Sequence, residues 1–238
     1  MQILGVLLLV AVVWFGLGER AATTVTVFDL HAFVMVLGGS PAAVLVSSST
    51  RTTARTLGCL RELLPGLGTL GRGTDELEAE REELVSLWRE GKRAQAVALA
   101  EGSRHPAIAR MVSLVLERAP DEATRAAFTE LSHATMTRWQ PAVSNWEVLA
   151  KLAPSFGMVG TITGMIQLFQ HMGSDMSQLG ASISLALVST LYGVALGAGF
   201  AGPTGHFLRN LLDERLGALE RCERSVHDLV ARSARAGV

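Results

Sequence analysis

Two runs of this chain, Leu152 to Met172 and Leu179 to Pro203, contain no Asp, Glu, Lys or Arg, and only Gly173 to Gln178 (GSDMSQ) separates them. A helix needs about 20 apolar residues to cross a hydrocarbon core about 30 Å thick, and both runs meet that length. The connector is too short for anything but antiparallel neighbours. The pair is therefore expected as a helical hairpin inside a bilayer. Composition agrees, because 49% hydrophobic residues, 18% charged residues and a mean hydropathy of +0.33 are too apolar for an ordinary soluble domain.

Two more apolar runs precede the hairpin. Ile3 to Leu17 carries no charge, and Val27 to Ser47 is apolar except for Asp29 and His31 at its start. A secretory signal would show positive charge before the run and a small-residue cleavage site after it. The chain instead begins Met1-Gln2 and continues Gly18-Glu19-Arg20, so a short spanning helix is expected. Of 21 Lys and Arg, 14 lie between Arg51 and Lys151, six follow Pro203, and Arg20 alone sits in the first short loop. The excess of positive charge in cytoplasmic loops puts both termini and the large loop on the cytoplasmic side.

The expected fold class is all-α: a polytopic membrane protein with four transmembrane helices and a helical cytoplasmic domain. Residues 1–48 hold spans one and two, 49–146 the cytoplasmic domain, 147–204 spans three and four, and 205–238 a cytoplasmic C-terminal helix. Within the domain, Asp75 and Glu78 suggest a capping box opening a helix through Trp88 and Arg89. Further helices are expected over Arg93 to Gly102, Pro106 to Arg118 and Asp121 to Arg138. After Pro203, Leu212, Leu216, Leu219, Cys222, Val226 and Leu229 recur at steps of three or four, one apolar stripe on a helix continuing the fourth span.

Several functions are disfavoured at this point. The formal charge is −1, giving no field to hold nucleic acid. Cys59 and Cys222 lack the spacing of a redox pair or zinc site and read as free thiols. Six scattered histidines, and no phosphate loop, nucleophile elbow or zinc-protease motif, argue against an enzyme, a metal site or a cofactor. His31 and His171 fall near the edges of the spans, as interfacial histidines.

The spans themselves carry small and hydroxylic residues. Gly157, Gly160 and Gly164 face the prospect of close packing with Gly193, Gly197 and Gly199. The polar groups are Thr161, Thr163, Ser182, Ser184, Ser189 and Thr190, which either bond their own helix or line a cavity. Pro154 and Pro203 are kink candidates or helix-end markers. Cation movement through hydrocarbon calls for an ionisable group facing the interior, and none stands at mid-depth here. If the chain handles protons or sodium, another polypeptide must supply the carboxylate.

APSFGMVGTITGMIQLF (Ala153 to Phe169) and ISLALVSTLYGVALGAGFAGP (Ile183 to Pro203) resemble the third and fourth membrane helices of MotA-type flagellar stator subunits, in the MotA/TolQ/ExbB superfamily. FDLHAFVMVLGGSPAAVLVS (Phe28 to Ser47) is similar to the family's second helix, with Gly38-Gly39 as its glycine pair. Four spans favour the MotA branch over the three-span TolQ and ExbB proteins.

The resemblance implies a homopentamer around a dimer of MotB-like single-span, peptidoglycan-anchored chains, each contributing a membrane aspartate. It implies an inner-membrane location, transported H+ or Na+ in place of a cofactor, and a cytoplasmic rotor of FliG type if the motor is flagellar. By position, Pro154 and Pro203 correspond to the motor prolines, and Thr161 and Thr190 to hydroxyls beside the ion path. Ser189 stands where many members have threonine. Threonine at the hydroxyl positions tilts the ion toward sodium. Arg93 and Glu101, eight apart in RAQAVALAE, resemble the charged pair that meets the rotor. Pro41 and the GSDMSQ loop depart from the family pattern. The competing readings are a TolQ/ExbB-like or gliding-type motor, and a passive membrane scaffold or channel.

Overall fold

The computed structural model describes residues 29–63, 68–172 and 176–235, and these are helical with short turns. The expected first span, Ile3 to Leu17, lies outside the described residues. The helices are α1 (Leu30–Ser47), α2 (Thr50–Gly58), α3 (Leu70–Arg89), α4 (Arg93–Gly102), α5 (Pro106–Leu116), α6 (Asp121–His171), α7 (Met176–Val194) and α8 (Gly202–Arg235). Three of them hold stretches long and apolar enough to cross a membrane: Leu30–Ser47, Asp121–Gln170 and Leu179–Ser233. Two compact units emerge, residues 1–64 with 141–208 and residues 65–140 with 209–238.

In the first unit α1 opens on Asp29, whose side chain accepts from the backbone N–H groups of His31 (2.8 Å) and Ala32 (3.1 Å). One turn of α1, Val34–Gly38, is π-helical, and a second π-turn, Ala195–Ala201, links α7 to α8. Ala32 packs with Leu185 and Val188 of α7, and Phe33 meets Tyr192 edge-on, 6.3 Å between ring centres.

The contact between α6 and α7 is made of backbone. A Cβ added at Gly193 would stand 2.7 Å from the Ala153 carbonyl and 3.0 Å from Gly157 Cα. One at Gly157 would stand 2.9 Å from the Ser189 carbonyl, and one at Gly164 2.7 Å from the Ser182 carbonyl. A side chain at Gly160 would collide with that of Ser189. Gly39 of α1 is held in the same way, 2.6 Å from Phe156 Cε1 for an added Cβ. Of the expected glycine packing, Gly157 meets Gly193 directly, whereas Gly160 and Gly164 meet Ser189 and Ala186, and Gly197 meets Ala150 and Pro154.

Below the apolar stretch, Asn145 ties three elements of this unit together. Its amide oxygen accepts from Ser48 (2.9 Å) and its amide nitrogen donates to Thr56 Oγ1 (2.9 Å), while Trp146 Nε1 donates to the Thr56 carbonyl (3.1 Å). Trp146 also packs edge-on against Phe200.

The second unit has its own apolar core. Leu77 and Leu84 of α3, Ile108 and Met111 of α5, Phe128 of α6 and Cys222 and Val226 of α8 are fully enclosed. Such side chains each contribute about 1.5–3 kcal/mol by leaving water. The stripe expected on α8 is buried at Leu212, Leu219, Cys222, Val226 and Leu229, with Leu216 half-buried. Gly91 (φ 78°) closes α3, its N–H donating to the Trp88 carbonyl and the Lys92 N–H to that of Leu87. Helix α5 stops at Leu116, two residues before the expected Arg118, which at φ 52° turns the chain away in the same left-handed manner. Glu78 binds Arg221 across the unit, and His227 pairs with Asp121 at 2.7 Å.

Two sequence expectations are corrected. Asp75 and Glu78 do not cap α3, which begins at Leu70. Leu70 and Thr74 are buried in line with Leu77, and the Thr74 hydroxyl donates to the Leu70 carbonyl at 2.9 Å, so packing carries the helix back past the capping pattern. The helix from Asp121 does not stop at Arg138 but runs on to His171, with Pro141 and Pro154 inside it. Pro154 therefore does not mark a helix end, and Pro203 also lies within α8.

These contacts give two expected outcomes. Gly193→Val should lower the thermal aggregation temperature of the detergent-solubilised protein sharply, because the obstructing atoms are backbone, whereas Gly180→Ala, in open space, should leave it unchanged. Phe128→Ala should destabilise the second unit by about 3–5 kcal/mol. Burial raises the Cys222 thiol to about 11, so it resists alkylation at pH 8, and its labelling in a Cys59→Ser background should shift to lower urea in the Phe128 variant.

Candidate functional site

The hydroxyls foreseen on the hairpin converge on one carbonyl. Thr161 Oγ1 lies 3.1 Å from the Ala186 carbonyl, Ser189 Oγ 3.1 Å and Thr190 Oγ1 3.2 Å from the same oxygen. Thr161 and Ser189 also reach the Gly157 carbonyl, at 3.2 and 3.3 Å. Thr161 and Thr190 are hydrogen-bonded to each other across the two helices. Gly157 and Gly160 make this convergence possible, since a Cβ at either would hold α7 away.

Counting protons shows what the cluster offers. The Ala186 carbonyl has two lone pairs, one committed to its own helix ladder, so it cannot satisfy three hydroxyl protons at once. Ser189 is enclosed and has the Gly157 carbonyl as its alternative acceptor. Thr161 is half-buried and Thr190 exposed, so the outer side of their pair presents hydroxyl oxygen away from the helix contact. The result is a group of neutral oxygens suited to a hard cation or to water, with no group in it that titrates near neutrality. Thr163, by contrast, bonds only its own helix, at the Val159 carbonyl (2.9 Å).

The two prolines are accommodated differently. Pro154 has no N–H for the Ala150 carbonyl four residues back. That carbonyl lies against Gly197, where an added Cβ would be 2.7 Å from it and 2.6 Å from Pro154 Cδ. Pro203 stands two residues after the π-turn Ala195–Ala201, which the Gly202 N–H closes by donating to the Gly197 carbonyl. Pro154 and the π-turn thus share Gly197. Pro41 in α1 likewise follows a π-turn, Val34–Gly38.

Arg93 and Glu101 are both exposed at the two ends of α4. The Arg93 guanidinium sits 5.9 Å over the Trp88 ring, a contact the sequence did not suggest. Sequence reasoning also missed Asn145 and Phe156. Asn145 had a signal, a lone amide within Ala142 to Trp146. Phe156 had none, because its role is to fill the space opened by Gly39.

Comparison with known proteins follows the same lines. Residues 99–221 match the model of the MotA/TolQ/ExbB proton channel family. The chain is similar to Motility protein A of Aquifex aeolicus, 44% identical over 71 residues, which cover 30% of this chain and 28% of that protein. It superimposes on a chain of the flagellar MotAB stator complex from Bacillus subtilis with a TM-score of 0.78 at 21% identity, covering 96% of this chain and 88% of that one. A chain of C. jejuni MotAB gives 0.73 at 17% identity, covering 97% and 92%. At those identities the structures speak to the fold. The family match spans more than half of the 238 residues. The chain belongs to the MotA/TolQ/ExbB proton channel family.

Proposed function

We propose that this chain is a ring-forming subunit of an ion-driven motor of the stator type, multi-pass in the bacterial inner membrane with both termini in the cytoplasm. The observation that carries the reading is the oxygen cluster of Thr161, Ser189 and Thr190 on a hairpin whose two long runs hold no charged residue. Such a wall lowers the cost of a partly dehydrated cation without being able to release or take up a proton itself. The titrating group then comes from a MotB-type partner, a single-span chain with a membrane aspartate. H+ and Na+ both suit neutral oxygens, and the two threonines favour Na+.

The exposed apolar surface supports a multi-subunit arrangement. Met158, Ile162, Ile166 and Phe169 on α6 and Leu187 and Val194 on α7 are uncovered in the single chain. Further copies, the partner's membrane helix and lipid would cover them, as a homopentamer around a dimer of partner helices. Residues 49–146 and 205–238 are read as the cytoplasmic part, and Arg93 and Glu101 as the charges offered to a rotor of FliG type. Movement is assigned to Pro154 and Pro203, whose missing N–H groups leave the helices free to bend beside Gly197. A TolQ/ExbB-like or gliding-type motor would use the same hairpin with a different effector.

Thr161→Ala and Thr190→Ala should each impair ion-driven movement in a strain that depends on this chain, while co-purification with the single-span partner persists. Normal movement in both, at normal expression, would remove the cluster from the ion path. Pro203→Ala should slow torque more than it reduces assembly, read by tethered-cell rotation under load. Ion flux surviving replacement of the partner's aspartate by asparagine would favour a passive channel.

A further inference from the structure

The second unit contains a cavity of about 390 Å³ that the motor reading leaves unused. Its walls are mixed: Leu70, Ala107, Leu219 and Trp139 on one hand, Thr135, His105, Arg138 and Arg215 on the other. No carboxylate side chain belongs to the lining among the described residues.

Arg215 is the unusual member. One terminal nitrogen donates to the Gly73 carbonyl at 2.5 Å, and the other lies 3.4 Å from His105 Nδ1. With Nδ1 as acceptor, the His105 proton sits on Nε2, which is 3.8 Å from a Glu76 carboxylate oxygen. The Glu76 carboxylate lies near the imidazole without a hydrogen bond to it, and the imidazole stands beside the guanidinium. Two of the five guanidinium N–H groups are engaged, and among the described residues no carboxylate stands within ion-pair distance of Arg215. Arg215 is half-buried, and burial pulls its pKa down against a smaller opposing effect of Cys222. Arginine stays charged even so. Arg215 itself has no carboxylate partner among the described residues, and a planar guanidinium fork matches the oxygens of a phosphate.

We infer that this cavity binds a phosphate group carrying an apolar moiety, the phosphate on Arg215 with His105 holding the guanidinium in place, and the apolar part against Leu70, Leu219 and Trp139. Apolar side chains beside the guanidinium favour an anion that carries an apolar part, and the volume suits a small amphiphile. Arg138, its guanidinium 5.8 Å over the Trp139 ring, adds positive charge at the same wall. Two sources share this chemistry, a soluble nucleotide and a phospholipid headgroup.

The test uses the full chain in uncharged detergent, titrated calorimetrically with ADP in one arm and with dihexanoyl phosphatidic acid in the other. Saturable binding of either probe, weakened at least about tenfold by Arg215→Ala and less by Arg215→Lys, is the expected result, and the arm that responds identifies the source. Ala134→Trp, which keeps Arg215 and fills the cavity, should abolish that binding, and it serves if Arg215→Ala does not fold. Absence of saturable binding by both probes up to about 1 mM, a range far above useful affinities, would overturn the inference. So would binding that is unchanged in Arg215→Ala or in Ala134→Trp.

Discussion

The rest of the first unit depends on how closely two backbones can approach in a solvent that gives apolar side chains no reason to associate. Lipid tails are as apolar as leucine, so helices in a bilayer are held by van der Waals contact and hydrogen bonds. Gly157, Gly160, Gly164, Gly193 and Gly197 remove the side chains that would separate α6 from α7, and in each case the atoms that take up the space include backbone or the Ser189, Ala186 or Pro154 side chains. Distance falls, contact rises, and carbonyls of one helix come within reach of hydroxyls of the other. The polar cluster is thus a consequence of the packing. Ser189 can donate to the Gly157 carbonyl only because Gly157 and Gly160 let α7 lie where it does.

That order of cause separates residues of the same chemical type. Thr161 and Thr163 are two positions apart on one helix, yet Thr161 faces the glycine contact and reaches across to Ala186, while Thr163 points away and bonds its own helix. A hydroxyl on a membrane helix has both options, and only the position of its neighbour decides between them. Neutral oxygens also explain why the cluster can coexist with hydrocarbon. A buried carboxylate here would need a partner or a proton, whereas hydroxyls satisfy one another.

Much of this was legible in the sequence, and the limits have physical reasons. The hairpin, its glycines and the stripe on α8 follow from charge-free length and from periodicity, which depend on local composition alone. Helix ends were less legible. The Asp75 and Glu78 pattern looked like a start, but burial of Leu70 and Thr74 outweighs a cap worth about 1 kcal/mol. The helix from Asp121 was expected to end at Arg138, but the proline at 141 removes only one hydrogen bond, and Ala142, Val143 and Trp146 beyond it are buried and favour continuing the helix. Arg215 could not be found at all from sequence. Its partners, Gly73 and His105, lie more than a hundred residues away along the chain.

The prolines show how one local defect can be handled in two ways. A helix that loses an N–H must either lengthen its hydrogen-bond pattern or give the orphaned carbonyl another neighbour. In α1 and at the start of α8 the first solution appears, a π-turn ending three residues before Pro41 and two residues before Pro203. In α6 the second appears, the Ala150 carbonyl set against Gly197 where a side chain cannot intrude. Because Gly197 also accepts the Gly202 N–H that closes the π-turn, the defects at Pro154 and Pro203 meet at one residue on adjacent helices. The two helix defects thus share one glycine, and a side chain at Gly197 would disturb both at once.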